Sequence, residues 1–311
     1  MSDDISRREW GPRSAGWSDR AADVDLFVLG ALTIDRFSSR LASPGGSVIH
    51  AARGVALAGY RVAVATVADG EAEARDGLNE LSRMTALHIQ RSRTTTRFNH
   101  RSSRAGRRLY LEAPAVRIAV TQPLLDLARP SAVLFAPVTG EIGPHVLGLF
   151  GDAPWRPVRA ATLQGWLRSA QVGRSVSAIR LQSLGRQLVG ALSRMDLVVV
   201  SREDLAERND PGQQLDELRN RFGDRPVLVL TDGTEGAWID DRRMRPLRGK
   251  DWSDRWHQPV PYRVDGASTV GAGDVLAGLF AVQLRWSYLR DLRPLIENAM
   301  KGVARFLEAG R

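Results

Sequence analysis

The chain has no cysteine, only two lysines, few aromatic residues and no long apolar run, and each shortage narrows what it can be. Without cysteine there are no disulfides, no thiolate metal sites and no thiol nucleophiles. No apolar stretch approaches the roughly 20 residues that span a bilayer. The opening segment MSDDISRREWGPRSAGWSDRAADVD lacks the apolar middle of a signal peptide. Residues 1–23 read as a mobile polar leader, and a cytoplasmic protein is expected. The pattern GxxxxGK(S/T) is missing, so no P-loop lysine grips a phosphate. No GxGxxG follows the first strand, which disfavours a dinucleotide fold of the usual kind.

What is present is a basic chain of ordinary hydrophobicity. Its 311 residues are 43% hydrophobic and carry a net charge of +9, enough apolar residue for one large α/β domain over 24–311. Apart from Lys250 and Lys301 the basic residues are arginines, spread along the chain and interleaved with acids, as in SREDLAERNDPGQQLDELRNRFGD. That spacing reads as a compositional habit and argues against dedicated nucleic-acid binding. A positive field would still favour an anionic substrate such as a nucleotide.

The run VDLFVLGAL, Val24 to Leu32, predicts a buried strand. SPGGSVIHAARGVALAGY then predicts a helix entered at Gly45-Gly46 and closed at Gly59, and RVAVATVA predicts a strand, giving a βαβ unit and a parallel sheet. TTTRFNHRSSRAGRRLYLEAPA breaks the rhythm and predicts an exposed hairpin inserted at about 93–112, with residues 36–44 as a possible second part of the same β appendage. Further strands are expected at SAVLFAPV, RAATLQ, DLVVVS and RPVLVLTDG. Helices are expected over SVSAIRLQSLGRQLVGALSR, REDLAERNDPGQQLDELRNRF and two final segments beginning GAGDVLAGLF and LRPLIENAM. The expected fold class is α/β, a doubly wound, mainly parallel sheet flanked by helices, with a small β lid.

In STVGAGDVLAGLF, Gly271 and Gly273 let backbone N–H groups crowd toward one point at the start of a helix, an arrangement suited to a phosphate. Asp274 at the same place is either a first-turn acid that stabilises the helix or a base that takes a proton from an attacking hydroxyl. The motif alone leaves both open.

Taken in order, Asp35 after the first strand, Gly45-Gly46, the hairpin, TDGTEG and the late GAGD resemble the ribokinase-like (PfkB) carbohydrate kinase family over roughly Val24 to Gly310. VDGASTVGAGDVLAGLF and PGGSVIHAARGVALAGYRVAVATVADG look like its two signatures. AATLQGWLR with APVTGEIG leans toward the inositol-kinase-like branch. The resemblance implies that Asp274 is the catalytic base, with Gly271, Ala272 and Gly273 supplying N–H groups to the transferred phosphoryl. It implies that Asp35, Gly45, Gly46, His50, Phe98 and Arg168 meet the acceptor, with Arg97 as another lid residue facing it. Ser201, Thr231, Gly233, Gly236 and Asn298 would border ATP, and Asp204 would hold Mg2+ through water. The hairpin would be a lid and a homodimer surface.

The chain departs from the family at three places. His50 stands where the signature has asparagine, Ser201-Arg202-Glu203-Asp204 replaces N-x-x-E, and Ser268 replaces an aspartate tied to a monovalent cation. The expected activity is transfer of the γ-phosphoryl of ATP to a hydroxyl of a sugar, sugar acid or cyclic polyol. The alternatives are a nucleoside kinase of the same superfamily, for which the first half offers few aromatics, and a catalytically impaired sugar- or nucleotide-binding regulator.

Overall fold

The computed structural model describes residues 23–37, 41–103, 106–120, 124, 128–151, 155–207, 209–243, 254–285 and 291–310. Apart from Asp23, the expected leader lies outside these residues, as do 38–40 of the second lid segment and the hairpin turn at 104–105. No helix among the described residues is long and apolar enough to cross a membrane.

The first apolar run forms β1 (Leu26–Leu29), buried at every position. The chain then leaves the main layer as β2 (Thr33–Arg36) and β3 (Ala42–Gly45) before α1 (Ser47–Leu57), which begins after Gly46 at φ 94°. It returns through β4 (Val62–Ala68), α2 (Ala72–Met84) and β5 (Ala86–Arg91). The hairpin β6 (Thr96–Ser103) and β7 (Gly106–Ala113) follows, then β8 (Ala132–Phe135), α3 (Pro144–Gly148) and β9 (Val158–Thr162). A two-residue pair, β10 (Arg168–Ser169) with β11 (Ser177–Ala178), precedes α4 (Arg186–Leu192), β12 (Leu197–Ser201), α5 (Pro211–Phe222) and β13 (Val227–Thr231). Strands β14 (Ala237–Asp240) and β15 (Arg255–Gln258) and helices α6 (Ala272–Leu284) and α7 (Arg293–Ala309) complete it.

Nine strands make one sheet in the order β15-β14-β13-β12-β9-β8-β1-β4-β5. Every pair from β5 to β13 is parallel, and β14 and β15 join antiparallel at one edge. Alternate residues of each strand feed opposite cores, as the two-residue period of a strand requires. Phe27 and Leu29 pack with Phe150, Leu192 and Phe222, whereas Leu26 and Val28 pack with Val55, Val275 and Phe280. Both faces are therefore covered by helices, which is why the strands read as continuous apolar runs.

The predicted hairpin exists but belongs to a larger layer. A four-stranded sheet runs β3-β2-β6-β7, with β2 parallel to β6. Its β7 edge is not open along its length: Leu111 N–H donates to Arg174 O at 3.3 Å, Gly173 N–H to Leu111 O at 2.8 Å and Val176 N–H to Leu109 O at 2.7 Å. Two helix expectations are corrected. Over 175–194 only Arg186–Leu192 is α-helical, because Val176 and its neighbours are drawn into pairing with the lid and with β10. Over 202–222 the helix starts at Pro211, since a residue preceding proline is pushed out of the helical region. Asp210 caps it by accepting from Gly212 N and Gln213 N.

Candidate active site

Parallel strands end together at one edge of the sheet, and the loops beyond β1, β8, β9, β12 and β13 meet there. Buried Glu141 ties two of them, accepting from Ala31 N at 2.9 Å and from the Val138 and Thr139 amides at 3.0 and 2.8 Å. Helix α6 points its N-terminus at this edge. Gly271, its N-cap, has φ 81°, and a β-carbon there would lie 2.3 Å from His50 Cγ. Only glycine meets both demands. One expectation is corrected at this turn: the Ala272 N–H donates to Thr269 O at 3.1 Å, so it is already engaged within the turn.

Asp274 occupies the first turn of α6 and is half-buried. Burial pushes its carboxyl up to about 6, the Ser47 hydroxyl and Arg168 draw it down, and Asp204 raises it. Ser47 lies in the first turn of α1, and its buried hydroxyl has no hydrogen-bond partner of normal length. Arg168, just past β9, donates from Nη2 to Asp204 Oδ1 at 3.3 Å. With its amide oxygen turned toward Arg168, Gln164 accepts from Nη1 at 2.8 Å. Asp204 follows β12 and is itself raised by burial against the pull of Arg168. Two strand ends and the start of α6 thus deliver two carboxylates, one guanidinium and one amide to one place.

The lid contributes Asp35 from β2. Its Oδ1 is bonded to His100 Nε2 at 3.0 Å and its Oδ2 accepts from Thr33 Oγ1 at 3.2 Å. Gly45 lies against it so closely that a β-carbon would be 2.1 Å from Oδ2. His50 is half-buried, with a buried and unpartnered Nδ1, and desolvation together with Arg53 lowers its pKa to about 4 despite the opposing fields of Asp35 and Glu80. A neutral imidazole therefore backs the Gly271 turn. A cavity of about 610 Å³ opens on the other side of His50, between α1, Ser268 and Val270, and the end of α7. It does not include Asp274.

Two lid expectations are corrected. Phe98 is 3% exposed and packs in the core, since its register opposite Leu111 turns the ring inward. Arg97 faces away from Asp35 and is held by Asp69, Glu71 and Glu73 at 3.1, 2.6 and 2.9 Å. Phe98 is paired with Asp35 across β2 and β6, so pleating turns the adjacent Arg97 to the opposite face.

Across the edge, Ser201 and Thr231 are paired neighbours at the ends of β12 and β13. Ser201 Oγ caps the following turn, accepting from Glu203 N at 3.2 Å. Gly233 and Gly236 take φ 55° and 111° in the next loop. Arg202 links the two loops, reaching Asp232 at 2.5 Å and Gln214 Oε1 at 3.0 Å. Asn298 lies on the exposed side of α7. Sequence reasoning missed His100, Gln164, Ser47 and the Arg202–Asp232 pair. Of these, only His100 had a signal, its two-residue spacing from Phe98 in a predicted strand. Among the described residues no cluster of three or more His, Asp or Glu is arranged to hold a metal ion.

No protein-family model matches the chain, and no curated protein matches its sequence. Solved structures match over almost the whole length. A pyrophosphate-dependent kinase in the ribokinase family, complexed with a pyrophosphate analog and myo-inositol, superposes with a TM-score of 0.71 at 16% identity, covering 91% of this chain and 95% of its own. Adenosine kinase from Schistosoma mansoni gives 0.67 at 13% identity, with 92% and 96% covered. Fructokinase from Vibrio cholerae O395 gives 0.63 at 15%, with 94% of each chain covered. With its nine-stranded, mostly parallel sheet between two helical layers, the chain has the fold of the ribokinase-family kinases.

Proposed function

We propose that the protein is a phosphotransferase that moves a phosphoryl group onto a hydroxyl of a sugar or polyol. The observation that carries this reading is Asp274. Its carboxyl lies at the N-terminus of α6 beside the glycine turn at 271–273, and burial raises its pKa to about 6. A base of that pKa is ionised at neutral pH and takes a hydroxyl proton more readily than an ordinary aspartate. The helix end and the Gly273 amide favour the charge that develops on the transferred group. Asp35, held by His100 and Thr33, accepts hydrogen bonds from acceptor hydroxyls. Neutral His50 takes the place of an amide beside it.

The donor binds over the ends of β12 and β13, where Ser201, Thr231, Gly233 and Gly236 lie. ATP is the expected donor. The structural match to a pyrophosphate-dependent kinase makes pyrophosphate the second donor to assay. Magnesium arrives with the donor phosphates and asks the protein for one or two carboxylates and water. Asp204, whose carboxylate is held by Arg168 beyond β12, is the residue that would hold the ion through water. When bound, the ion neutralises charge on the donor phosphates.

The test is phosphoryl transfer from ATP and from pyrophosphate to a panel of sugars, cyclitols and nucleosides, repeated with Asp274→Asn. Turnover lost in the variant supports the reading. Ligand-induced thermal stabilisation without turnover overturns it in favour of a binding regulator.

A further inference from the structure

The charges around the acceptor space are matched in a way that selects the acceptor by its own charge. The two faces of the lid sheet carry different chemistry. One presents Asp35, Thr33 and His100, linked through the Asp35 carboxylate. The other carries Arg36 and Arg97. Arg36 is bonded to Glu73 at 3.1 Å and Glu112 at 3.5 Å, and Arg97 to Asp69, Glu71 and Glu73. Among the described residues, two further cations near the site are matched too. Arg53 donates from Nε to Glu80 at 2.6 Å, and Arg168 is spent on Asp204 and Gln164. Half-buried His50 stays neutral at physiological pH. What the described residues leave facing the acceptor is acidic: Asp35 on the lid and Asp274 at the start of α6.

Resting on the kinase reading above, we propose that the acceptor is a sugar or polyol without a negatively charged group. Uncharged and amine-bearing molecules are admitted, whereas sugar acids and sugar phosphates are refused. An anionic substituent would have to displace a carboxylate from an existing ion pair or lie beside Asp35 or Asp274. Like charges brought together in a partly desolvated site repel strongly. This is selection by repulsion, independent of the hydroxyl contacts that hold the ring.

Matched sets test it by isothermal titration and by phosphoryl transfer: D-glucose, D-glucosamine, D-glucuronate and glucose phosphate, and myo-inositol with inositol monophosphate. Within the scaffold that binds, the uncharged or amine-bearing member is expected to bind at least about 100-fold more tightly than the anionic one. Asp204→Asn, which frees Arg168, is expected to narrow that gap at least about tenfold, with melting temperature recorded to confirm folding. An anionic member that binds as well as its neutral parent, or a gap unchanged in Asp204→Asn, overturns the charge selection while leaving the kinase reading standing. Preferential binding of neutral members without transfer supports the selection and removes the kinase reading. Binding by no member overturns both.

Discussion

The ring of His50 fills the space that a β-carbon on Gly271 would need, with Cγ 2.3 Å from that position. One residue comes from the first helix after β1 and the other from the turn into α6, so the glycine turn beside Asp274 is shaped by a side chain more than two hundred positions away in sequence. Gly271→Ala is expected to cost about 1–3 kcal/mol in backbone strain alone, with the clash added, and to lower kcat more than tenfold. Urea denaturation and steady-state kinetics check this. A folded variant with wild-type kcat would show that the turn takes no part in transfer.

Asp274→Asn is expected to lower kcat by about 100- to 10,000-fold, the usual worth of a positioned base. In the wild type, kcat/KM should rise as pH passes through about 6, where the carboxyl loses its proton. Stability runs the other way. The folded-state pKa lies above the ordinary 3.8, so the folded protein holds this proton more tightly, and the stabilisation is lost as pH climbs from 3.8 through about 6. The asparagine variant should therefore melt above the wild type at pH 8 and lose that advantage at pH 4.

Gly45 and Asp35 act as one unit, since a β-carbon at 45 would collide with Asp35 Oδ2 at 2.1 Å. Gly45→Ala is expected to raise the acceptor KM about tenfold with little change in donor KM. In the background of Asp35→Ala the same substitution should add almost nothing, because residues in contact do not contribute independently. Additive losses in the double-mutant cycle would refute a shared role.

Arg97 anchors the lid to the start of α2 through Asp69, Glu71 and Glu73. Burial alone would raise the Asp69 carboxyl. The amides of Thr95 and Glu71, the Thr95 hydroxyl and Arg97 outweigh it and hold the group below the ordinary range. Arg97→Ala strands a buried carboxylate and is expected to cost about 3 kcal/mol at pH 7. With a depressed folded-state pKa, this stabilisation is present above 3.8 and fades as pH falls through the lowered value. The gap between variant and wild type should therefore shrink in acid, as measured by denaturant midpoints at pH 7 and pH 3. An equal gap at both would assign the loss to packing.

Much of the fold could be read along the chain because its signals are local. Apolar runs such as LFVL and VLVLT marked parallel strands buried on both faces, Gly45-Gly46 marked the entry to α1, and the alternation around Thr96–Ala113 marked the hairpin. Where the reading failed, a contact from far away had decided the matter. Residues 175–180 carry a passable helical pattern, yet Val176 is bonded to Leu109 and Ser177 is paired with Ser169. Over residues 202–210 the helical pattern is overridden locally, because Pro211 pushes the residue before it out of the helical region.

Local rules of the chain set the layer architecture and the presence of a glycine turn with an aspartate at a helix start. Periodicity, glycine placement and proline act over a few residues and need no partner. Tertiary structure alone decided which charges meet. It turned Arg97 away from the cleft and Arg168 onto Asp204, gave Asp35 the partner His100, and raised Asp274 by burial. Pairing and desolvation depend on strand register and on loops gathered at the sheet edge, and no stretch of sequence encodes those distances on its own.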